Sequence, residues 1–384
     1  MIRQVIIIGS HIQALGLARQ AKRTGIRVIL FTEERCSVAR FSRAVRKTVF
    51  FRSMDELGRA LKPYEDTDTL LFPTADQYVE YLAEHDEALK RHFTLGIPAP
   101  EVVALFADKR KAYQFADACG IPHPKSCYPA TLEDVVRIAG EVSYPVVIKP
   151  AVMYSFRWMF GKKAFRCDSP EELIRKCREI SKRIPISSVI IQEFLSGGAK
   201  TLYSFGAFVV DGEPKAWIMA NRIRQNPMDF GNSTTFAVTC HIPAIETAAR
   251  DILKRTNYTG LAEVEYMYDA QAGCYKFMEI NTRAWKWHSL SMGLGFGFLS
   301  EMLHYLNGES GDFRPTDKQM AWTDRLTDLT IILKETLKGR MNPFKALHTC
   351  CRPTVRAVWS WQDPLPGIMY LLLSPILYFQ RKKH

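Results

Sequence analysis

Apolar and polar positions alternate along the chain in two periods, and the switches between them mark its elements. Residues 5–8 (VIII) form a short apolar run, 11–25 carry apolar residues at helical spacing, and 26–31 turn apolar again. This is a strand, helix, strand pattern of parallel α/β type. Strands at 47–51 and 69–73, with a helix over 53–61 between them, complete a small doubly wound domain over residues 1–103. Asp108 opens a helix that stops at Gly120, just ahead of Pro122 and Pro124. A helix over 131–142 leads into YPVVIKPA, an apolar strand that closes on Lys149. The strand AFRC and a helix opened by Ser169-Pro170-Glu171-Glu172 follow. SVIIQEFLSGG reads as a buried strand running into Gln192, Glu193, Phe194 and Leu195 and then the pair Gly197-Gly198. Further strands are expected at 201–210 and 214–221, and a helix over 322–337.

The most informative stretch is 261–283, LAEVEYMYDAQAGCYKFMEINTR. Glu263 and Glu265 lie two apart on one face of a strand, as do Glu279 and Asn281 on the next, with a polar Gly-containing turn at 269–273 between them. Paired as a hairpin, the strands bring Glu265 and Glu279 together at the open end, with the Asn281 amide oxygen beside them. Hard oxygens in that number suit Mg²⁺, which keeps its remaining places for water and phosphate. A hairpin with one solvated acidic face is the alternative.

Composition places the chain among globular proteins: 384 residues, 47% hydrophobic and 24% charged, long enough for two or three domains. Nine scattered cysteines with no C-x-x-C argue against a zinc site or disulfide framework and for a reducing, cytoplasmic compartment. The opening MIRQVIIIGS reads as a strand and not as a signal peptide. The net charge of +12 is uneven, because residues 334–384 hold nine Lys/Arg against Glu335 and Asp363, a surplus of seven. No basic stripe with interleaved aromatics runs through the body, so nucleic acid is not expected as a partner.

Several side chains then stand out as ligand-binding candidates. Gly9 leaves room for a ligand at the first turn, but His11 and Ala14 break the G-x-G-x-x-G dinucleotide pattern. Asp76 follows the fourth strand, at a carboxyl end where ligands bind in such sheets, or else caps the next helix. Lys109 lies in the first turn of its helix, where a cation opposes the dipole. Lys149 closes a buried strand and needs a partner or a ligand. The loop MYSFRWMFGKK brings Arg157, Lys162 and Lys163 beside it, among aromatic residues that suit an apolar or sugar-like substrate. Arg222 and Arg224, two apart on a strand, could face an anion.

In this order and spacing, Asp108-Lys109 before GIPHP, VVIKP around Lys149, IQEFL around Glu193, and the pair VEY and MEIN resemble the ATP-grasp superfamily of carboxylate-amine ligases, over about residues 1–308. Within it, LYSFGAFV, RIRQNPMDFG and EINTRAWKWH are similar to the D-aspartate ligase-like group and to predicted carboligases of surface-polysaccharide genes. The resemblance implies an α/β and α+β chain. An N-terminal doubly wound parallel-sheet domain (1–103) precedes a small ATP-grasp lobe (104–192) and a C-terminal lobe with the metal site (193–310). It also implies that Lys109, Lys149 and Lys163 bind ATP phosphates and that Gln192, Glu193, Phe194 and Leu195 meet the adenine. Glu265, Glu279 and Asn281 would hold Mg²⁺ or Mn²⁺, while Arg222 and Arg283 face the phosphoryl group or the substrate carboxylate. Glu263 has no counterpart in the motif and is left a supporting or solvated role. Ala199-Lys200 departs from the family, which often has an acid there for the ribose.

The activity implied is formation of an amide from a carboxylate, such as an amino acid or uronic acid, and an amine through an acyl phosphate. The alternative is a nucleotide-binding regulatory or scaffold module that has lost turnover. Past residue 310 the resemblance fades. The apolar run 365–379 is 15 residues, broken by Pro366, Gly367 and Pro375, and falls short of the ~20 a spanning helix needs. With Trp359, Trp361, Tyr370, Tyr378 and the terminal RKK it suits an interfacial segment, so the tail (311–384) is expected to meet an anionic membrane surface from the cytoplasmic side. A buried or homodimer-forming helix is the other candidate.

Overall fold

In a computed structural model of the chain, residues 1–384 are described except 152–159, 162, 163, 229, 230, 232, 350, 351 and 384, and except the side chains of 345, 347, 348 and 378–383. The expected first strand, β1 (Gln4–Ile8), is the centre of a parallel sheet with β2 (Arg27–Thr32), β3 (Lys47–Phe50), β4 (Thr69–Pro73) and β5 (Thr94–Leu95), in the order β3-β2-β1-β4-β5. Helices cover both faces, which is why β1 and β4 read as unbroken apolar runs. The strand order reverses between β1 and β4, so the turns after these two strands open at a switch point. Gly9 sits there with φ of +124°, and a Cβ would lie 2.0 Å from Thr74 Oγ1. The glycine makes room for Thr74, whose hydroxyl donates to Ile8 O at 3.1 Å.

A small antiparallel sheet and a large mixed one, antiparallel except for its last pair of strands, follow. The smaller has the order β6-β9-β7-β8, from β6 (Ser126–Cys127), β7 (Val146–Pro150), β8 (Phe165–Cys167) and β9 (Val189–Glu193). The larger has seven strands: β10 (Leu202–Val210), β11 (Glu213–Asn226), β12 (Ser233–Cys240), β13 (Gly260–Asp269), β14 (Cys274–Asn281), β15 (Ala321–Thr323) and β16 (Thr354–Arg356), in the order β14-β13-β10-β11-β12-β15-β16. The helix expected from residue 322 begins instead at Arg325. Residues Ala321–Thr323 are drawn into the sheet by pairing with β12, and the Trp322 indole is fully buried. The segment after residue 310 thus extends the sheet. The apolar run at its end forms the helix Leu365–Lys383, and no helix among the described residues is long and apolar enough to cross a membrane.

One apolar cluster joins the N-terminal sheet to the large sheet. Val5 and Leu15 share it with Phe208, Trp285, Phe298 and Trp322. Two polar contacts fix the same junction. Asp363 accepts from Arg19 Nε at 3.0 Å, from Ser42 Oγ at 2.6 Å and from Arg43 N at 3.0 Å, so the C-terminal segment is strapped to the first domain. His288 lies fully buried against the helix His11–Arg23. Gln20 Oε1 accepts from Leu299 N at 2.9 Å, so its Nε2 donates to His288 Nδ1 at 3.0 Å, and His288 Nε2 donates to Gln13 O at 3.2 Å. The ring is held neutral in one tautomer and serves to join the two domains.

Burial pushes the His288 pKa down from 6.5 to about 4. The unfolded chain binds the proton more readily, so this contribution to stability is complete above pH 6.5 and is lost as pH falls toward 4, by up to about 3 kcal/mol. We expect the unfolding midpoint to fall across that window. His288→Gln, which keeps a donor and an acceptor, should flatten the fall; an identical slope in thermal unfolding of the two proteins would remove His288 as its cause.

Candidate active site

The hairpin expected from the sequence forms, and its register places the acids. Glu265 lies directly opposite Glu279, and Glu263 opposite Asn281; directly opposed residues of an antiparallel pair share a face. The register slips by one between the Glu265 and Tyr266 pairs, leaving Met278 as a bulge whose carbonyl accepts from Tyr113 Oη at 2.8 Å. A bulge of this kind re-aims the side chains beyond it, and here it turns Glu279 and Asn281 onto the face of Glu265. All four open on a cleft of about 2580 Å³, bounded by the N-terminal sheet's switch point, the small sheet and the large sheet.

Cations hold this acidic face together. Arg222 is buried and pairs with Glu265 at 2.6 Å, and Lys109 pairs with Glu279. Burial opposes the charge of both, but the facing carboxylates outweigh it and raise both pKa values. Asn281 Nδ2 donates to Glu263 at 2.9 Å and to Glu265 at 3.1 Å. Glu263 is not solvated: it is buried, and Trp287 Nε1 donates to it at 2.8 Å. Burial, then Glu265, pushes its pKa up to about 8. It acts as the anchor that orients Asn281.

Lys149 contrasts with Lys109. Its Nζ donates to Tyr113 Oη at 2.8 Å and makes no ion pair with a carboxylate among the described residues. Burial, then repulsion by Lys109, pulls its pKa down to about 7. An ammonium this short of countercharge gains most from an incoming anion. Both lysines owe their places to helix and strand ends. Asp108 caps the helix Lys109–Ala118 by accepting from Arg110 N at 2.8 Å, and Lys149 lies at the end of β7, beside β9.

At the end of β9 Gln192, Glu193, Phe194 and Leu195 line the same cleft. Glu193 pairs with Lys276 and accepts from Lys125 N at 2.9 Å. The Glu193 and Phe194 N–H groups donate to Lys125 O at 2.9 Å and Pro145 O at 3.1 Å. Gly197, with φ of +111°, begins the turn that leaves the strand. Arg283 forms a two-pronged pair with Asp76 at 2.6 and 3.0 Å, which ties the switch point of the first domain to the acidic hairpin.

The structure therefore brings together Lys109, Lys149, Arg222, Glu265, Glu279, Asn281 and Arg283, with 192–195 across the cleft. Lys163 and the loop residues Arg157 and Lys162 lie outside the described residues. Arg224 does not join Arg222. The pairing of β11 with β12 is irregular between Asn221 and Arg224, and Arg224 makes a buried two-pronged pair with Asp328 at 2.8 and 2.7 Å. Asp76 does not cap its helix but serves Arg283. Lys276, Lys286 and Trp287 were not singled out by sequence reasoning. The alternation of Lys276 with Met278 on a strand already carrying acids was the signal for the first; Lys286 and Trp287 follow a turn and gave none.

The family model for the carbamoyl-phosphate synthase L chain, ATP binding domain, matches residues 108–309, more than half of the chain, and includes Lys109, Lys149, 192–195, Arg222, Glu265, Glu279, Asn281 and Arg283. The chain belongs to this ATP-grasp family. ATP-grasp relatives are ATP-dependent ligases, and the resemblance read from the spacing of VVIKP, IQEFL and MEIN agrees. D-aspartate ligase of Enterococcus faecium is 23% identical over 300 residues, covering 72% of this chain and 70% of that protein. Among solved structures, the ADP complex of N5-carboxyaminoimidazole ribonucleotide synthetase has a TM-score of 0.66 at 13% identity, over 87% of this chain and 85% of that one. Biotin carboxylase from Campylobacter jejuni gives 0.66 at 17%, over 82% and 72%. At such identities these two show the fold.

Asp108→Ala should cost about 1 kcal/mol through loss of the helix cap. Chemical denaturation checks this, with the expected outcome a lower midpoint at unchanged slope.

Proposed function

We propose that this ATP-grasp chain joins a carboxylate to an amine through an acyl phosphate, using ATP and Mg²⁺, with Mn²⁺ able to substitute. The observation that carries the reading is the grouping of Lys109 and the desolvated Lys149 beside the Glu265–Glu279–Asn281 face in one cleft. The donor chemistry fits a divalent ion: two opposed carboxylates and an amide oxygen are hard ligands, and the ion would take over the countercharge that Arg222 and Lys109 give the carboxylates, leaving those side chains to meet anionic oxygens. Bound there, the ion would draw charge from the phosphate oxygens as the phosphoryl group moves.

The remaining roles fall to the protein. Lys149 and Lys109, with Lys163 as a third cation, bind phosphate oxygens, and 192–195 flank the adenine. Arg222 and Arg283 orient the substrate carboxylate in line with the γ-phosphorus. A carboxylate oxygen forms a bond to that phosphorus while the bond to the bridging oxygen of ADP breaks. The amine nitrogen then bonds the acyl carbon, the carbon–oxygen bond to phosphate breaks, and the amine gives up a proton. Fixed cations stabilise the charge that builds on the oxygens, and no side-chain nucleophile is needed. The name of the relative in Enterococcus faecium supports an amino acid among the substrates, and a uronic acid remains the second candidate. A peripheral position at an anionic membrane surface belongs to the same reading.

Phosphate release from ATP and Mg²⁺ across a panel of carboxylates and amines tests the proposal. Release should require one of each, and Glu279→Gln should reduce it by about a hundredfold or more with folding intact. An unchanged rate in that variant removes the metal role. Lys149→Met should raise the KM for ATP by about tenfold or more without lowering the unfolding midpoint, since an unpaired buried ammonium is replaced by an apolar side chain. ATP binding with no release for any pair would mark a module without turnover.

A further inference from the structure

Among the described residues, ten of the fifteen large apolar side chains that stand exposed fall between residues 329 and 376. On the helix Arg325–Leu337 they are Leu329, Leu333 and Leu337, four apart along one stripe; on the helix Leu365–Lys383 they are Leu365, Ile368, Leu371, Leu372 and Ile376. Phe344 and Trp361, 82% and 81% exposed, complete the set. Single exposed apolar residues are ordinary, but a concentration of this kind marks an interaction face.

The charge of the same segment is one-sided at its surface. Residues 325–384 hold ten Lys/Arg and three acids, a surplus of seven out of the total of +12. The three acids are buried and paired internally: Asp328 with Arg224, Glu335 with Lys338, and Asp363 with Arg19. Arg325, Lys334, Lys338, Arg340, Arg352 and Arg356 are exposed. The surface thus combines protruding apolar and aromatic residues with a net excess of positive charge, the combination that holds a protein on an anionic bilayer.

The two helices are also walls of the cleft. Leu326, Thr330 and Lys334 of one, and Tyr370, Ser374 and Leu377 of the other, line it. Tyr370 Oη lies 3.2 Å from Thr327 Oγ1 and fixes the helices to each other. On a helix of 3.6 residues per turn, Leu365, Ile368, Leu372 and Ile376 fall on the side away from Tyr370 and Ser374. One helix therefore meets the cleft with its inner side and leaves an apolar outer side unpartnered.

We propose that this outer face, Leu329 to Ile376 with its surrounding cations, docks the protein on an anionic phospholipid bilayer, with the cleft wall as the layer next to the membrane. Docking needs neither nucleotide nor catalysis, so it is measured apart from the ligase activity. The test is co-sedimentation of the full chain with vesicles of phosphatidylcholine alone or mixed with phosphatidylglycerol. Partition should be about tenfold or more stronger on the mixed vesicles and should fall as salt is raised. Leu333→Glu with Leu372→Glu, at positions 62% and 66% exposed and outside the cleft, should weaken partition by about tenfold or more and leave ATP-dependent phosphate release with water-soluble substrates unchanged. Equal recovery in the supernatant with and without anionic vesicles overturns the proposal. So does partition that the double variant leaves intact, or a dimer in buffer that the double variant converts to monomer, which would assign the face to a second copy of the chain. Loss of phosphate release in every protein tested, with docking retained, would count against the ligase reading alone.

Discussion

The organising constraint of this protein is a concentration of carboxylates on one face of two paired strands. Glu263, Glu265 and Glu279 would repel one another if left alone in a buried place, and the surrounding structure answers that repulsion residue by residue. Arg222 reaches Glu265 from β11, and Lys109 reaches Glu279 from the start of a capped helix. Trp287 and Asn281 hold Glu263. The cations that make this arrangement stable are of the kind suited to phosphate oxygens. Each carboxylate of the face thus meets a cation or a hydrogen-bond donor within the cleft.

That balance reaches beyond the two lobes. Arg283, two residues past the hairpin, is anchored on Asp76 at the switch point of the N-terminal sheet. The first domain is in turn held to the large sheet by the His288 contacts and by the Arg19–Asp363 strap. Asp363 precedes the helix Leu365–Lys383, so the segment that ties the domains also delivers a helix to the cleft wall. The C-terminal 60 residues therefore complete the shape of the site instead of trailing from it.

How far the site could be read from the chain depended on the range of the interactions. Glu265 and Glu279 were legible because both lie in one hairpin, where a period of two and a short turn decide what faces what. Lys109 and Lys149 were legible because each breaks a local rule, a cation at a helix start and a charge closing an apolar strand. Glu263 was left a supporting or solvated role by its lack of a motif counterpart, and solvent was the wrong half of that expectation; only the Trp287 indole, brought in by a turn, shows it to be buried. Arg222 and Arg224 looked alike at a spacing of two, and an irregularity in strand pairing sends one to the site and the other to Asp328.

The sequence by itself determined the strand–helix–strand opening, the strand that closes on Lys149, the acidic hairpin and the family, since each rests on short-range periodicity and on the spacing of a few charged residues. The tertiary structure alone decided the pairing of those charges, the use of Gly9 to seat Thr74, the entry of Ala321–Thr323 and Thr354–Arg356 into the large sheet, and the second role of the C-terminal helix. All of these depend on contacts between residues tens to hundreds of positions apart, where local pattern carries no information about which partner of a given charge or shape will be met.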